Sequence, residues 1–141
     1  MIIKSEQEML EFGQNFAKSL TAPIIELIGD VGTGKTTFVR GLTKGLGITD
    51  PVTSPSFTIS KSYALPSGKG HLIHYDFYRL PDPGLMLNDL RENLKNPNNI
   101  IIIEWGNSIE NILPKNRLKV EIKYNDNNTR NLEIINNFQE T

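Results

Sequence analysis

The amino-acid sequence predicts one α/β domain, residues 1–141, with a small mixed parallel and antiparallel sheet flanked by helices. Three observations carry this expectation. An apolar strand pattern, Ile24 to Ile28, runs through a Gly-rich turn into a helix pattern, the strand–loop–helix unit that builds parallel sheets. Two pairs of alternating segments, each joined by a turn, add antiparallel strands. The chain is also long enough to bury roughly two-thirds of its unfolded surface without a disulfide or metal.

Taken in order, Ser5 to Leu20 reads as an amphipathic helix: Ser5 and Glu8 form a capping box, and Met9, Phe12, Phe16 and Leu20 recur at helical spacing. Pro23 ends it, and Ile24-Ile25-Glu26-Leu27-Ile28 is a mostly buried strand. Lys35 to Leu46 is a second helix, with Phe38, Val39 and Leu42 on its apolar side and Gly47 as its C-terminal cap. Residues 48–56 carry two Pro and several Ser and Thr, and form a loop. Phe57 to Tyr63 and Leu72 to Tyr78 alternate as strands, and Pro66-Ser67-Gly68 between them predicts a hairpin. A loop from residue 81 leads into a helix over Leu85 to Leu94, and Ile100 to Ile103 is a buried strand. Leu118 to Tyr124 and Arg130 to Ile135 form a last hairpin around Asn125 to Asn128.

Composition removes several functions. There are 15 Lys and Arg against 16 Asp and Glu, a net charge of −1, which argues against a free-standing nucleic-acid binder. The absence of Cys excludes thiol catalysis and Cys-based zinc sites, and fits a reducing, cytoplasmic setting. The N-terminal MIIKSEQEML has no long apolar run, so neither a signal peptide nor a membrane association is expected.

The sharpest signal is Gly29-Asp30-Val31-Gly32-Thr33-Gly34-Lys35-Thr36, which matches G-x-x-x-x-G-K-[ST] in full. Glycines let such a loop wrap closely, so that successive backbone N–H groups point at phosphate oxygens, and the following helix adds its positive dipole end. Lys35 is placed to reach the β- and γ-phosphates of a nucleotide, and the Thr36 hydroxyl to ligate Mg²⁺. A chance match in a chain of this length is on the order of one in a hundred. The domain is thereby expected to be P-loop NTPase-like.

Mg²⁺ beside a triphosphate usually needs a carboxylate from the end of another strand, and Ile100-Ile101-Ile102-Ile103-Glu104 supplies one. Glu104 also fits an ordinary exposed strand end. In His74-Tyr75-Asp76-Phe77-Tyr78-Arg79, Asp76 could orient a water or hold Mg²⁺ through one, and Arg79 could meet phosphate or a partner; an Asp–Arg surface pair fits equally. Thr53-Ser54-Pro55-Ser56-Phe57 lies where such folds place a loop that senses the γ-phosphate, and is also an ordinary Pro-Ser turn. Trp105 reads as packing. His71 and His74, three apart on a strand, face opposite sides, so a metal site from them is not expected. No Asn-Lys-x-Asp segment is present and no Gly follows Asp76, which disfavours a GTPase. A small-molecule kinase or a non-catalytic nucleotide-dependent interaction module stays open.

GDVGTGKTTFVRGLTKGLG, DPVTSPSF, HYDFYRL and IIIIEWG, in this order from Ile24 to Gly106, together resemble the TsaE family, small bacterial ATPases of tRNA threonylcarbamoyladenosine formation. The resemblance implies an Mg²⁺-dependent ATPase that works with TsaD and TsaB, the pair that transfers the threonylcarbamoyl group, and that meets tRNA only through them. It implies ATP phosphates on Lys35 and on the amides from Gly32 through Thr33, Gly34 and Thr36 to Thr37. It further implies Mg²⁺ on Thr36 and Glu104, with Asp76 supporting hydrolysis that is slow until a partner completes the site. Ser5, at the start of the first helix, and Arg130, in the last hairpin, are the candidates to approach the adenine from the two ends of the chain. After Leu80 the sequence keeps Asp82-Pro83 but lacks the acidic run usual in the family.

Overall fold

The computed structural model describes residues 1–20, 23–30, 32–51, 60–77, 84–105 and 113–136. The elements run β1 (Ile2–Ile3), α1 (Glu6–Lys18), β2 (Ile24–Ile28), α2 (Lys35–Gly45), β3 (Ser60–Ala64), β4 (His71–Asp76), α3 (Gly84–Leu94), β5 (Ile100–Glu104), β6 (Leu118–Tyr124) and β7 (Arg130–Asn136). All seven strands form one sheet in the order β1-β7-β6-β2-β5-β4-β3. Its centre, β6-β2-β5-β4, is parallel, and β3, β7 and β1 extend it antiparallel at the two edges. The expected mixed sheet flanked by helices is therefore what forms.

Strand alternation assigns each side chain to a face. Ile25, Leu27, Leu72, Ile102, Val120 and Ile122 meet α1 and α2 in one apolar cluster. Ile24, Ile73, Tyr75, Ile101 and Ile103 meet α3 in a second. Because the central strands are covered on both sides, β5 reads as an unbroken isoleucine run rather than an alternation. On the first face, Phe12, Phe16 and Phe38 bring their ring centroids within 5.5–6.1 Å of one another. The helix backbones there approach so closely that a Cβ on Gly41 would lie 2.2 Å from the Leu10 carbonyl oxygen. This contact fixes α2, and with it the loop that precedes α2.

Several boundaries differ from the sequence expectation. Ser5 caps α1 by accepting the Glu8 N–H at 3.1 Å, but the Glu8 carboxylate returns to the Lys4 N–H, one residue before the expected partner. Helix α2 ends at Gly45, and Gly47 takes the left-handed conformation just beyond, at φ 84°. Strand β3 begins at Ser60, β4 spans His71–Asp76, and Phe57 to Ile59 and Tyr78 lie outside the described residues. The two-residue strand β1 is too short to show a period in the sequence. It pairs with β7 and is tied down by the Met1 ammonium, which donates to the Leu132 carbonyl at 3.1 Å. Among the described residues no helix is long and apolar enough to cross a membrane.

Candidate functional site

The C-terminal ends of β2, β5 and β4 converge where α2 begins. Between β2 and α2, Gly32 and Gly34 take φ values of 85° and 110°, which side chains resist, so glycine is what lets the chain turn back over the helix start. Gly34 is the N-cap of α2 and offers no side chain to the first-turn N–H groups; no acidic residue sits in that turn either. The positive dipole end of a helix start with no side-chain cap can receive an anion. Thr33 is buried, and its hydroxyl donates to the Asp30 carbonyl at 2.8 Å, which closes the loop on itself.

Lys35 is only 7 % exposed. Its ammonium donates to the Gly29 carbonyl at 2.5 Å, stands 3.5 Å from Glu104 Oε1, and lies 4.5 Å from the centre of the Trp105 ring. The cation thus curls over the loop from inside. Trp105 itself has φ 59°, a conformation that costs a bulky residue on the order of 1–3 kcal/mol and that places its indole against Lys35.

Glu104, the last residue of β5, is buried, with His74 Nε2 at 2.5 Å from its Oε2. Burial pushes its carboxyl up, but the hydrogen bond and charge of His74, with the charge of Lys35, outweigh this and hold it below the usual carboxylate range. Asp76 is the register partner of Glu104 on the neighbouring strand, and the Phe77 N–H donates to the Glu104 carbonyl at 3.1 Å, so the two carboxylate residues stand side by side. Thr36 lies in the first turn of α2, half-buried, and Thr37 follows it.

The last hairpin closes the loop from the other side. Arg130 donates from Nε to the Thr33 carbonyl at 3.0 Å and stacks 4.4 Å over the Tyr124 ring, while the Tyr124 hydroxyl donates to the Gly32 carbonyl. A cleft of about 440 Å³ opens beside the loop, lined in part by Asp30, Thr33, Trp105, Lys123 and Tyr124.

Of the residues singled out in the sequence, Gly32, Thr33, Gly34, Lys35, Glu104 and Arg130 come together in this way. Ser5 is engaged with its own helix and sits one turn before Met9, whose side chain abuts Gly34. Thr53 to Phe57, Arg79 and Gly106 lie outside the described residues. His71 and His74 face opposite sides as expected, the first exposed and the second buried. Sequence reasoning missed what His74 and Tyr124 do. The period of β4 places His74 on the same face as Asp76, which was the available signal; nothing in the sequence pairs Tyr124 with a loop ninety residues earlier.

Residues 3–132 match the family described as "Threonylcarbamoyl adenosine biosynthesis protein TsaE". The chain belongs to the TsaE family. The "tRNA threonylcarbamoyladenosine biosynthesis protein TsaE" of Haemophilus influenzae is 39% identical over 140 residues, covering 94% of this chain and 86% of its own. That of Bacillus subtilis is 41% identical over 100 residues, covering 71% of this chain and 61% of its own. The crystal structure of YdiB from Bacillus subtilis superposes with a TM-score of 0.73 at 32% identity, over 94% of this chain and 80% of that one. The TsaE family carries a role in tRNA threonylcarbamoyladenosine biosynthesis, in agreement with the resemblance seen in the sequence motifs.

Proposed function

We propose that this protein binds and hydrolyses ATP with Mg²⁺, and does so in the cytoplasm in concert with TsaD and TsaB during threonylcarbamoyladenosine formation on tRNA. The observation that carries this reading is the buried Lys35 ammonium, 3.5 Å from Glu104 at the uncapped start of α2. A lysine ammonium is a compact point charge on a flexible stem, so Lys35 can exchange its carboxylate and carbonyl partners for phosphate oxygens. The amides from Gly32 to Thr37 then receive the remaining oxygens, and Arg130 and Tyr124 keep the loop carbonyls turned toward the hairpin. Arg130 is also the candidate to approach the base.

The donor set suits Mg²⁺: a hydroxyl from Thr36 and an ionised carboxylate from Glu104 are hard oxygen ligands. Held there by Thr36 and Glu104, Mg²⁺ would supply neutralisation of phosphate charge. Asp76, beside Glu104, orients the attacking water. The net charge of −1 suits a protein whose partners hold the RNA.

The test is phosphate release from ATP–Mg²⁺ with and without the TsaD–TsaB pair, with Lys35→Ala as the blank. Expected is slow release that rises when the pair is added, and a Lys35→Ala variant that folds but binds ATP roughly 10–100-fold more weakly, the worth of a charge-assisted hydrogen bond. Release indifferent to the pair would remove the partnership. Phosphate arriving on an acceptor instead of in solution would favour a kinase.

A further inference from the structure

His74 has no part in the reading above, yet it makes the tightest contact to Glu104. It is 1 % exposed, and its Nε2 stands 2.5 Å from Glu104 Oε2, against 3.5 Å from Lys35 Nζ to Oε1. In the tautomer that carries its hydrogen on Nε2, His74 donates to the Glu104 carboxylate. The register explains the approach. Asp76 is the partner of Glu104 and His74 that of Ile102, two residues earlier, so the imidazole reaches the carboxylate from lower on the same sheet face. Each carboxylate oxygen therefore has its own neighbour, with Oε1 turned toward Lys35 and the loop. Among the described residues His74 Nδ1 is buried without a hydrogen-bond partner, a cost of about 1–3 kcal/mol.

We propose that His74 is a positioning residue for Glu104, occupying Oε2 so that Oε1 is the oxygen presented to Mg²⁺. The inference rests on the Mg²⁺–ATP reading above. When phosphate takes Lys35 away, His74 is the contact that still holds the carboxylate. Groups that hold a metal-ligating side chain in this way are typically worth about 10–100-fold in metal affinity.

Trp105 is the single Trp of the chain and lies against Lys35, so its fluorescence reports occupancy of the loop. The experiment titrates ATP against this signal in excess Mg²⁺ and in chelator, and takes the ratio of the two dissociation constants. His74→Leu is expected to lower that ratio about tenfold while leaving ATP affinity in chelator unchanged. His74→Asn, whose amide is too short to reach Oε2, is expected to do the same. His74→Gln, whose amide nitrogen can stand where Nε2 stood, is expected to keep the wild-type ratio. A wild-type ratio in the Leu and Asn variants, with only thermal stability reduced, overturns the proposal, as does a Gln variant that fails with them. Should the Leu variant not fold, the Asn–Gln contrast decides. A wild-type protein with no Mg²⁺ effect on ATP affinity overturns the nucleotide reading itself, an outcome distinct from both.

Discussion

Two buried ion pairs sit at the centre of the sheet, on opposite faces of adjacent strands, and they are built differently. Glu26, on β2, accepts from Arg117 Nε at 2.9 Å on the face that carries Ile24; both side chains are 3% exposed. Arg117 spends a second nitrogen on the Pro114 carbonyl at 2.8 Å, so the planar guanidinium is gripped from two directions. Glu104 meets Lys35 on the other face at 3.5 Å, with the ammonium shared with the Gly29 carbonyl. A planar fork that engages its carboxylate and a carbonyl at once is suited to hold, whereas a point charge on a flexible stem, set 3.5 Å from its carboxylate, is suited to change partners. The molecule places the first kind where the chain must be fixed and the second where a phosphate would arrive.

Breaking the closed pair carries the largest expected effect. Removing either partner leaves an uncompensated buried charge, so Arg117→Ala and Glu26→Ala are each expected to lose about 3–5 kcal/mol in urea unfolding. Replacing both at once with apolar residues, Glu26→Leu with Arg117→Met, is expected to lose less than either Ala variant, because no charge is stranded. A double variant as unstable as the sum of the two singles would mean that the residues act separately, and the comparison with Lys35 would fall.

The converse experiment makes the exchangeable pair resemble the closed one. In Lys35→Arg the charge stays, but a planar guanidinium that can engage Glu104 Oε1 and a second acceptor at once replaces the compact ammonium that fits beneath the loop. ATP affinity is expected to fall about tenfold or more, near one lost charge-assisted hydrogen bond, with thermal stability unchanged or raised. A Lys35→Arg variant that binds ATP as the wild type does would show that exchangeability is not what lysine contributes there.

How legible these features were in the sequence depends on how local their causes are. The strand–loop–helix unit announced itself because its constraints, the glycines, Lys35 and the apolar strand before them, are contiguous. Glu104 was visible as the end of an isoleucine run, and the two hairpins through their alternation and turns. The Glu26–Arg117 pair was half visible. A charge inside IIELI, a strand buried on both faces, requires a partner, but only the β2–β6 pairing shows that the partner is ninety-one residues away. His74 reads on its own as one of two histidines; its role depends on the register that sets β4 beside β5. Strand β1 gave no sign because two residues have no period and gain their place only from β7.

The smallest expected effect lies in pH. Glu104 is held below the usual carboxylate range because the hydrogen bond and charge of His74, with the charge of Lys35, outweigh the burial that pushes it up. In the unfolded chain it returns to about 4.3. Between the folded and unfolded values the unfolded state binds the proton more readily, so stability rises with pH across that interval. The contribution is fully present above about 4.3 and is lost as pH falls through the folded value. Stability of the wild type minus that of Glu104→Gln is therefore expected to climb with pH through the acid range. Adding Lys35→Met to both members of the comparison should make the climb shallower without removing it, because His74 contributes more than Lys35 to the downward shift. A level difference throughout the acid range would mean that Glu104 is not held ionised by its neighbours, and that the open pair is not a charged pair at all.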